Sequence, residues 1–482
     1  MLKKIAHIIA DPLAYIFNQS LFYSEVPLRW KHSFITPLLK KEPSSSVDNY
    51  RQVSITSFFC RIFEKVLKKH IEEHLVRNAI IPTNQHGFVK GKSTESNLLE
   101  CINDWTDYLD NSKCCDVIYF DFAKAFDRVD HSKLLLKISK LKFHPMVCKW
   151  LEEYLSDRSF QVKIGSSFSS SRTVKSGVPQ GGVLAPVLSA FYTADLPPIL
   201  KDCGVVCQQF ADDIKIYRKL DCIDDHTMIQ DALNKILEWS VVWKLPLAPE
   251  KTVHMRIRTS NFPSNYNLGL HDLDEVSFVR DLGFHYNNKL DFSAHYRSLY
   301  SKATARTYQI FKGLSTNDKD VLLKVFKSYI RPIMECGSTV FSPHKKKDIQ
   351  LLEKVQNNFT RKIFLRSENS QFFRIPGALF RNRALKLHSL VSRRNLNYVC
   401  MVYKILARSL KTDVSKFFRL VHSRTRGCSE KISLGTPKTS IRSHSFTCRA
   451  GSCCTSLKIS NTPLPHSFKA FRRKFRKRLC SF

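Results

Sequence analysis

The chain contains no run of 18 apolar residues, so nothing in it reads as a membrane-spanning helix. Its opening, Met-Leu-Lys-Lys-Ile-Ala-His-Ile-Ile-Ala-Asp-Pro, is broken by His7, Asp11 and Pro12 where a secretory leader needs an apolar core. An intracellular protein, of nucleus and cytoplasm, is the expectation. There is no C-x-x-C pair among the 15 cysteines, which read as reduced and mostly buried thiols. Cys428, Cys448, Cys453, Cys454 and His466 lack any recognised zinc spacing and read as scattered structural residues. No internal repeat is present. Negative charge is the real shortage: 42 Asp plus Glu against 77 Lys plus Arg leave a net +35. Such an excess asks for a polyanionic partner, nucleic acid first. No basic amphipathic helix with a clean apolar face supports a membrane surface instead. At 482 residues and 43% hydrophobic, the chain can bury more than one sizeable core.

Where acidic residues are scarce, a doubled one is informative. In Gly-Val-Val-Cys-Gln-Gln-Phe-Ala-Asp-Asp-Ile-Lys-Ile-Tyr (204–217), two apolar strand-like segments flank Asp212 and Asp213, which places both at a hairpin tip. Adjacent carboxylates raise each other's pKa unless a cation neutralises them, and hard oxygen ligands suit Mg²⁺. Taken alone, the tetrapeptide is more simply a solvated turn. It has company, however. Val117 to Phe120 is a short β-rich run that delivers Asp121 at its end. Between the acidic sites lies Ser-Gly-Val-Pro-Gln-Gly-Gly-Val-Leu-Ala-Pro (176–186), a glycine loop that would let a planar substrate approach the backbone. Two carboxylate-bearing strands and such a loop are the parts of a two-metal phosphoryl-transfer site.

These blocks resemble, in sequence and in order, the reverse transcriptases of non-LTR retrotransposons, especially jockey- and CR1-like (LINE-type) elements. The matching stretches are Tyr-Phe-Asp-Phe-Ala-Lys-Ala-Phe-Asp (119–127), the glycine loop at 177–186 and Phe-Ala-Asp-Asp (210–213). Upstream are Asn-Tyr-Arg-Gln-Val-Ser-Ile-Thr-Ser (49–57) and Gln-His-Gly-Phe-Val-Lys-Gly-Lys-Ser-Thr (85–94); downstream are Leu-Ala-Pro-Glu-Lys-Thr (247–252) and Asp-Leu-Gly-Phe (281–284). The resemblance implies an α+β right-hand polymerase with an antiparallel palm sheet, fingers mostly from residues 25–115, a helical thumb and a basic C-terminal region. It divides the chain into an N-terminal helix at 1–24, fingers and palm at 25–290, thumb and connection at 291–410, and a partly disordered basic region at 411–482. The implied reaction is RNA-directed DNA synthesis by a nucleotidyltransferase, with RNA template, DNA primer or target and dNTPs as partners. An element-encoded RNA-binding protein is a further partner of such polymerases. Asp121, Asp212 and Asp213 would hold two Mg²⁺ ions, for which Mn²⁺ can substitute, and Lys251 would act as general acid. Phe122, Phe126, Gln180, Gly181, Arg51 and Lys40 would meet the dNTP, with Phe126 as the gate against a 2′-hydroxyl. Leu282 and Gly283 would grip the primer, and Lys90, Lys92, Arg361, Lys362, Arg472, Arg473 and Arg476 would hold nucleic acid. The endonuclease that full elements carry ahead of the polymerase is not found in this sequence, nor is a retroviral-type RNase H acidic set.

Departures from the family pattern are Gln52, Val89, Gly182, Phe210 and Ala248. Gln52, Val89 and Ala248 sustain a second reading, a decayed or repurposed copy that binds nucleic acid without polymerising. An RNA-templated RNA polymerase on a related palm is a third, against which Phe126 argues. Apolar spacing predicts helices over 3–23, 57–78, 132–157, 225–242, 294–314, 317–336, 346–366 and 381–410, and strands over 30–39 and 160–164. Asp130 is the expected cap of the helix beginning near Ser132. The Ser/Thr/Arg/Gly-rich stretch 422–462 reads as loop, and 468–479 as a basic helix with interleaved aromatics.

Overall fold

A computed structural model describes residues 4–367, 375–422, 430–457 and 467–479, so Cys428 and His466 lie outside the described residues. Its centre is a five-stranded sheet in the spatial order Asp274–Glu275, Val253–Ile257, Cys114–Phe120, Asp213–Leu220, Val206–Phe210. The Cys114–Phe120 strand runs antiparallel to both neighbours, with Phe120 opposite Ile214 and Tyr119 opposite Val253. Side chains alternate between the two faces of a strand, so each face collects its own core. Ile118, Phe120, Ile214 and Ile216 pack with Ile229, Leu233, Ile236 and Trp239 of the Asp224–Val242 helix. On the opposite face, Val117, Tyr217 and Met255 pack with Leu98, Leu99, Ile102 and Trp105 of the Thr94–Asp110 helix. Burial on both sides explains why the strand reads as a continuous apolar run rather than an alternating one.

The fingers form a second sheet, in which His32–Leu39 lies antiparallel to Tyr50–Thr56 and parallel to Ser159–Ile164. The helical thumb has a third core, built from Tyr296, Leu322, Phe326, Phe359 and Ile363. The right hand implied by the sequence blocks is therefore present as an α+β fold. Several elements differ from expectation. Residues 132–157 form two helices, His131–Lys140 and Pro145–Leu155, because Lys142 turns left-handed (φ 54°) and Pro145 can start a helix but not continue one. Asp130 caps the first of them, accepting from the Lys133 N–H at 3.0 Å. Likewise 317–336 is Lys319–Val325, a π-helical turn at Phe326–Ile330, and Arg331–Glu335; 381–410 divides into Ala378–Ala384 and Leu390–Leu406. The Ala6–Tyr23 helix buries Phe17 and Ser20 but leaves Ile8, Tyr15 and Ile16 exposed.

The largest departure is at the C-terminal end. Instead of a loop, 422–462 contains the strand Glu430–Ser433, paired with Arg419–His422, and the helix Phe446–Ser456. Phe446, Ala450 and Cys454 are buried in the palm's second core. Phe471 and Phe475 of the Phe468–Leu479 helix join the same core, with Phe471 4.5 Å from Tyr403 between ring centroids. The interleaved aromatics are thus anchors, while Arg472, Arg473 and Arg476 face outward. Polar contacts add to the anchorage: Asp110 accepts from the Lys438 and Thr439 N–H groups at 2.8 and 2.7 Å, and Arg442 donates to Asn103 and Thr106. The expected boundary at residue 410 is not a break in packing.

Candidate active site

The two central strands bring the acidic residues together. Asp121 follows directly on the Cys114–Phe120 strand, and in the neighbouring strand Asp213 precedes Ile214, the partner of Phe120. Phe210 pairs with Asp213, so Ala211 and Asp212 alone form the hairpin turn. That turn requires Ala211 at φ 60°, a left-handed conformation that is unusual for a residue with a Cβ.

What holds it is a stretch whose role the sequence did not reveal. Residues 84–86 run beside the exposed edge of Val206–Phe210: the Gln209 N–H donates to Asn84 O (3.0 Å) and the His86 N–H to Gln209 O (2.8 Å). The buried Gln85 side chain accepts from the Ala211 N–H at 3.0 Å and from the Gly87 N–H at 2.7 Å. A Cβ on Gly87 would lie 2.2 Å from the Ala211 nitrogen, so only glycine fits there. The signal available in the sequence was the Gln-His-Gly-Phe block itself, without its partner.

Asp121 and Asp213 line one open cleft of about 330 Å³ with Lys251, Arg280 and Leu282. Lys251 Nζ stands 3.0 Å from Asp121 Oδ2. Burial raises the pKa of Asp212, and the Asp121 charge adds to it, while Arg51 and Lys40 act in the opposite sense. Asp213 is pushed up to about 6 by the protein atoms that strip its hydration and by the charges of Asp212, Asp281 and Asp121. Carboxylates held this way make a negative pole that a cation would relieve. Among the described residues, no group of three or more His, Cys, Asp or Glu side chains is placed so that it could hold a metal ion by itself. An all-carboxylate set of this kind suits a hard divalent ion that keeps waters and substrate oxygens in its sphere.

Around this pole the other candidate residues are distributed unevenly. Arg51, on the Tyr50–Thr56 strand, and Lys40, just past the end of the His32–Leu39 strand, are exposed and direct positive charge at Asp212. Phe126 is half-buried, edge-on to Phe88 at 6.4 Å. Gln180 donates from Nε2 to Asp127 Oδ1 at 3.0 Å, and its carbonyl accepts from the Ser54 N–H at 2.7 Å. Gly181 (φ 125°) is packed so tightly that a Cβ would sit 2.4 Å from Ser54 O. In this loop the missing side chain lets the palm meet the fingers strand, so the expected gap for a planar substrate is filled by protein at that point. The Phe122 ring is buried against Trp239 at 6.0 Å, and its backbone bridges to Leu247.

Leu282 and Gly283 form the turn of the Phe278–Asp281/Phe284–Asn287 hairpin, both at positive φ (48° and 89°), and the space beside Gly283 is open. Lys90 is exposed. Lys92 instead turns back to donate to the Thr83 carbonyl, and burial lowers its pKa to about 8. Lys362 lies over the Phe311 ring at 5.4 Å, beside Arg361 on the long thumb helix Lys346–Ser367. No described helix is long and apolar enough to cross a membrane.

Comparison with known proteins bears on these blocks directly. A probable RNA-directed DNA polymerase from transposon BS of Drosophila melanogaster is 27% identical over 366 residues, 73% of this chain and 40% of that protein. The RNA-directed DNA polymerase from mobile element jockey of the same fly is 26% identical over 364 residues, 73% of this chain and 39% of its own length. The matched region is thus about two fifths of the length of these relatives. Apo telomerase from Candida tropicalis overlays only loosely, at 11% identity and a TM-score of 0.41, over 75% of this chain and 63% of that one. Residues 39–286, just over half of the chain, match the family described as reverse transcriptase (RNA-dependent DNA polymerase), and they contain every candidate carboxylate and the glycine loop. The chain belongs to the reverse transcriptase family.

Proposed function

We propose that the chain is an RNA-directed DNA polymerase that adds deoxynucleotides to a primer 3′-hydroxyl on an RNA template. The observation that carries this reading is the register that sets the Asp121 strand end beside the Asp212–Asp213 turn. Asp121, Asp212 and Asp213 would hold two Mg²⁺ ions. When bound, these would lower the pKa of the attacking hydroxyl and neutralise the triphosphate and leaving group. Arg51 and Lys40 bind the triphosphate from the fingers side, where their charge already acts on Asp212. Lys251 lies one hydrogen bond from Asp121 and supplies the proton for the departing pyrophosphate. Gln180 seats the templated base, and Phe126 closes the space below the sugar 2′ position. The Leu282–Gly283 turn offers exposed backbone to the primer strand, and Lys90, Arg361, Lys362, Arg472, Arg473 and Arg476 neutralise phosphates without reading sequence. The +35 net charge suits that polyanionic load.

Mg²⁺-dependent extension of oligo(dT) on poly(rA) tests the reading, with dTTP and UTP offered separately. Wild type is expected to extend with dTTP in preference to UTP. Asp212→Ala is expected to lower the rate by about 10³-fold or more, the scale of losing a main electrostatic stabiliser. Equal duplex binding by both proteins, with extension by neither, would instead mark a nucleic-acid-binding protein.

A further inference from the structure

In the cleft beside Asp213 lies a charged pair to which no step of the proposed reaction gives a role. Lys215 stands two residues beyond Asp213 on the same strand, so both side chains leave the same face of the sheet. Its side chain is 5% exposed and forms an ion pair with Asp281, whose side chain is 7% exposed. Tyr286 donates its hydroxyl to Asp281 Oδ2 at 2.7 Å. Tyr119, which sits opposite Lys215 on the neighbouring strand, donates in turn to the Tyr286 hydroxyl at 3.0 Å. The network therefore spans two palm strands and both strands of the Phe278–Asp281/Phe284–Asn287 hairpin.

That hairpin has few other directional ties to the palm. Among the described residues its two strands pair only with each other and form a sheet of their own. Val279, Phe284 and Tyr286 pack into the second core, but apolar contact tolerates sliding in a way that a buried charge does not. Asp281 is also the last residue before the Leu282–Gly283 turn, and it pairs across the turn with Phe284. The ion pair thus fixes the base of the turn to a strand position two residues from the acidic tip. Burying two charges rarely stabilises a fold more than an apolar pair of equal volume would, and the best-attested return is a fixed register.

We propose that the Lys215–Asp281 pair positions the Leu282–Gly283 turn against the Asp212–Asp213 tip, and so sets where the primer terminus is held. The inference rests on the polymerase reading above and names the residues that align one of its substrates. Lys215 and Asp281 line the cleft that also holds Asp121 and Asp213, and their proposed role there is positioning. An error of about 1 Å in the primer hydroxyl costs about 10²-fold in rate, and the incoming nucleotide, held from the fingers side, is not displaced with it.

The test compares wild type, the double variant Lys215→Met/Asp281→Leu, and Lys215→Arg in primer extension, with thermal melting alongside. Changing both partners leaves no lone buried charge, so the double variant is expected to stay folded, melting lower only by what the Tyr286 hydroxyl loses with its acceptor. Its kcat is expected to fall by about 10²-fold and its primer–template KM to rise, with the dNTP KM unchanged. Lys215→Arg keeps the pair and most of the rate. Wild-type kcat and primer–template KM in a stably folded double variant would overturn the proposal, as would an equal loss in Lys215→Arg. If the double variant does not fold, Asp281→Glu decides. It keeps the charge but moves its attachment, so kcat drops by about ten-fold with the dNTP KM unchanged, and an unaltered kcat overturns the proposal. Absence of extension by wild type removes the polymerase reading, and this proposal with it.

Discussion

At the scale of single residues, the most consequential side chain outside the carboxylates is Gln85. Its carbonyl oxygen serves two backbone donors, Ala211 and Gly87, at a turn that is already in an unfavourable conformation. Gln85→Ala leaves both N–H groups without that acceptor, at a cost of about 1–3 kcal/mol for each one left unsatisfied. The expected result is a lower melting temperature together with slower extension, since the Asp212 turn relaxes. Unchanged melting and extension would show that the turn supports itself. Gln85 and Ala211 are 126 residues apart, so no local pattern could connect them. Asp121, Asp212 and Asp213 were legible because a strand end and a hairpin tip are local features. Phe122 was named by resemblance alone, and no local pattern showed that its ring packs against Trp239.

At the scale of elements, the central strand is fixed at both ends, and the end remote from the acidic site is fixed by charge. Asp116 is fully buried and accepts from Arg256 Nε and Nη2 at 2.8 and 2.6 Å and from the Tyr266 hydroxyl at 2.7 Å. Burial alone would raise its pKa, but Arg256 and His254 outweigh burial and hold it at about 2. A carboxyl depressed in the folded state binds its proton more readily when unfolded, so its contribution is complete above the ordinary value of 3.8 and disappears as the pH falls toward 2. That contribution is about 2 kcal/mol. Chemical denaturation of wild type should therefore show an acid-side loss between these values. Asp116→Asn should lose stability at pH 7 by that amount or more and flatten this part of the profile; an unchanged profile would mean the pair has no net effect. Most helices and both acidic strands could be read from periodicity. The break before Pro145 divides one periodic stretch into two, and the Thr94–Asp110 helix was overlooked despite Ser93 at its start, which caps it with Ser96 as a capping box.

At the scale of the whole molecule, three cores are arranged so that chain order and spatial order disagree. Phe446, Phe471 and Phe475 complete a core begun by Leu98, Trp105 and Val117. Composition concealed this, because a Ser/Thr/Arg-rich segment looks incapable of packing when its few apolar residues are counted without their distant partners. Ending the chain after residue 410 removes all three rings, at about 3–5 kcal/mol for each buried phenylalanine lost. This sum is comparable with the entire stability of a typical domain. The shortened chain is expected to show no cooperative melt; a sharp transition near that of the full chain would show that the palm closes without its last segment. The same arrangement has a consequence during synthesis. Phe471 and Phe475 leave the ribosome after nearly every residue they must meet, so the palm's second face stays open while the rest of the hand is being made. Folding near the carboxylates then awaits residues 446–475, and a chain interrupted before them would carry Asp121, Asp212 and Asp213 without a closed second core.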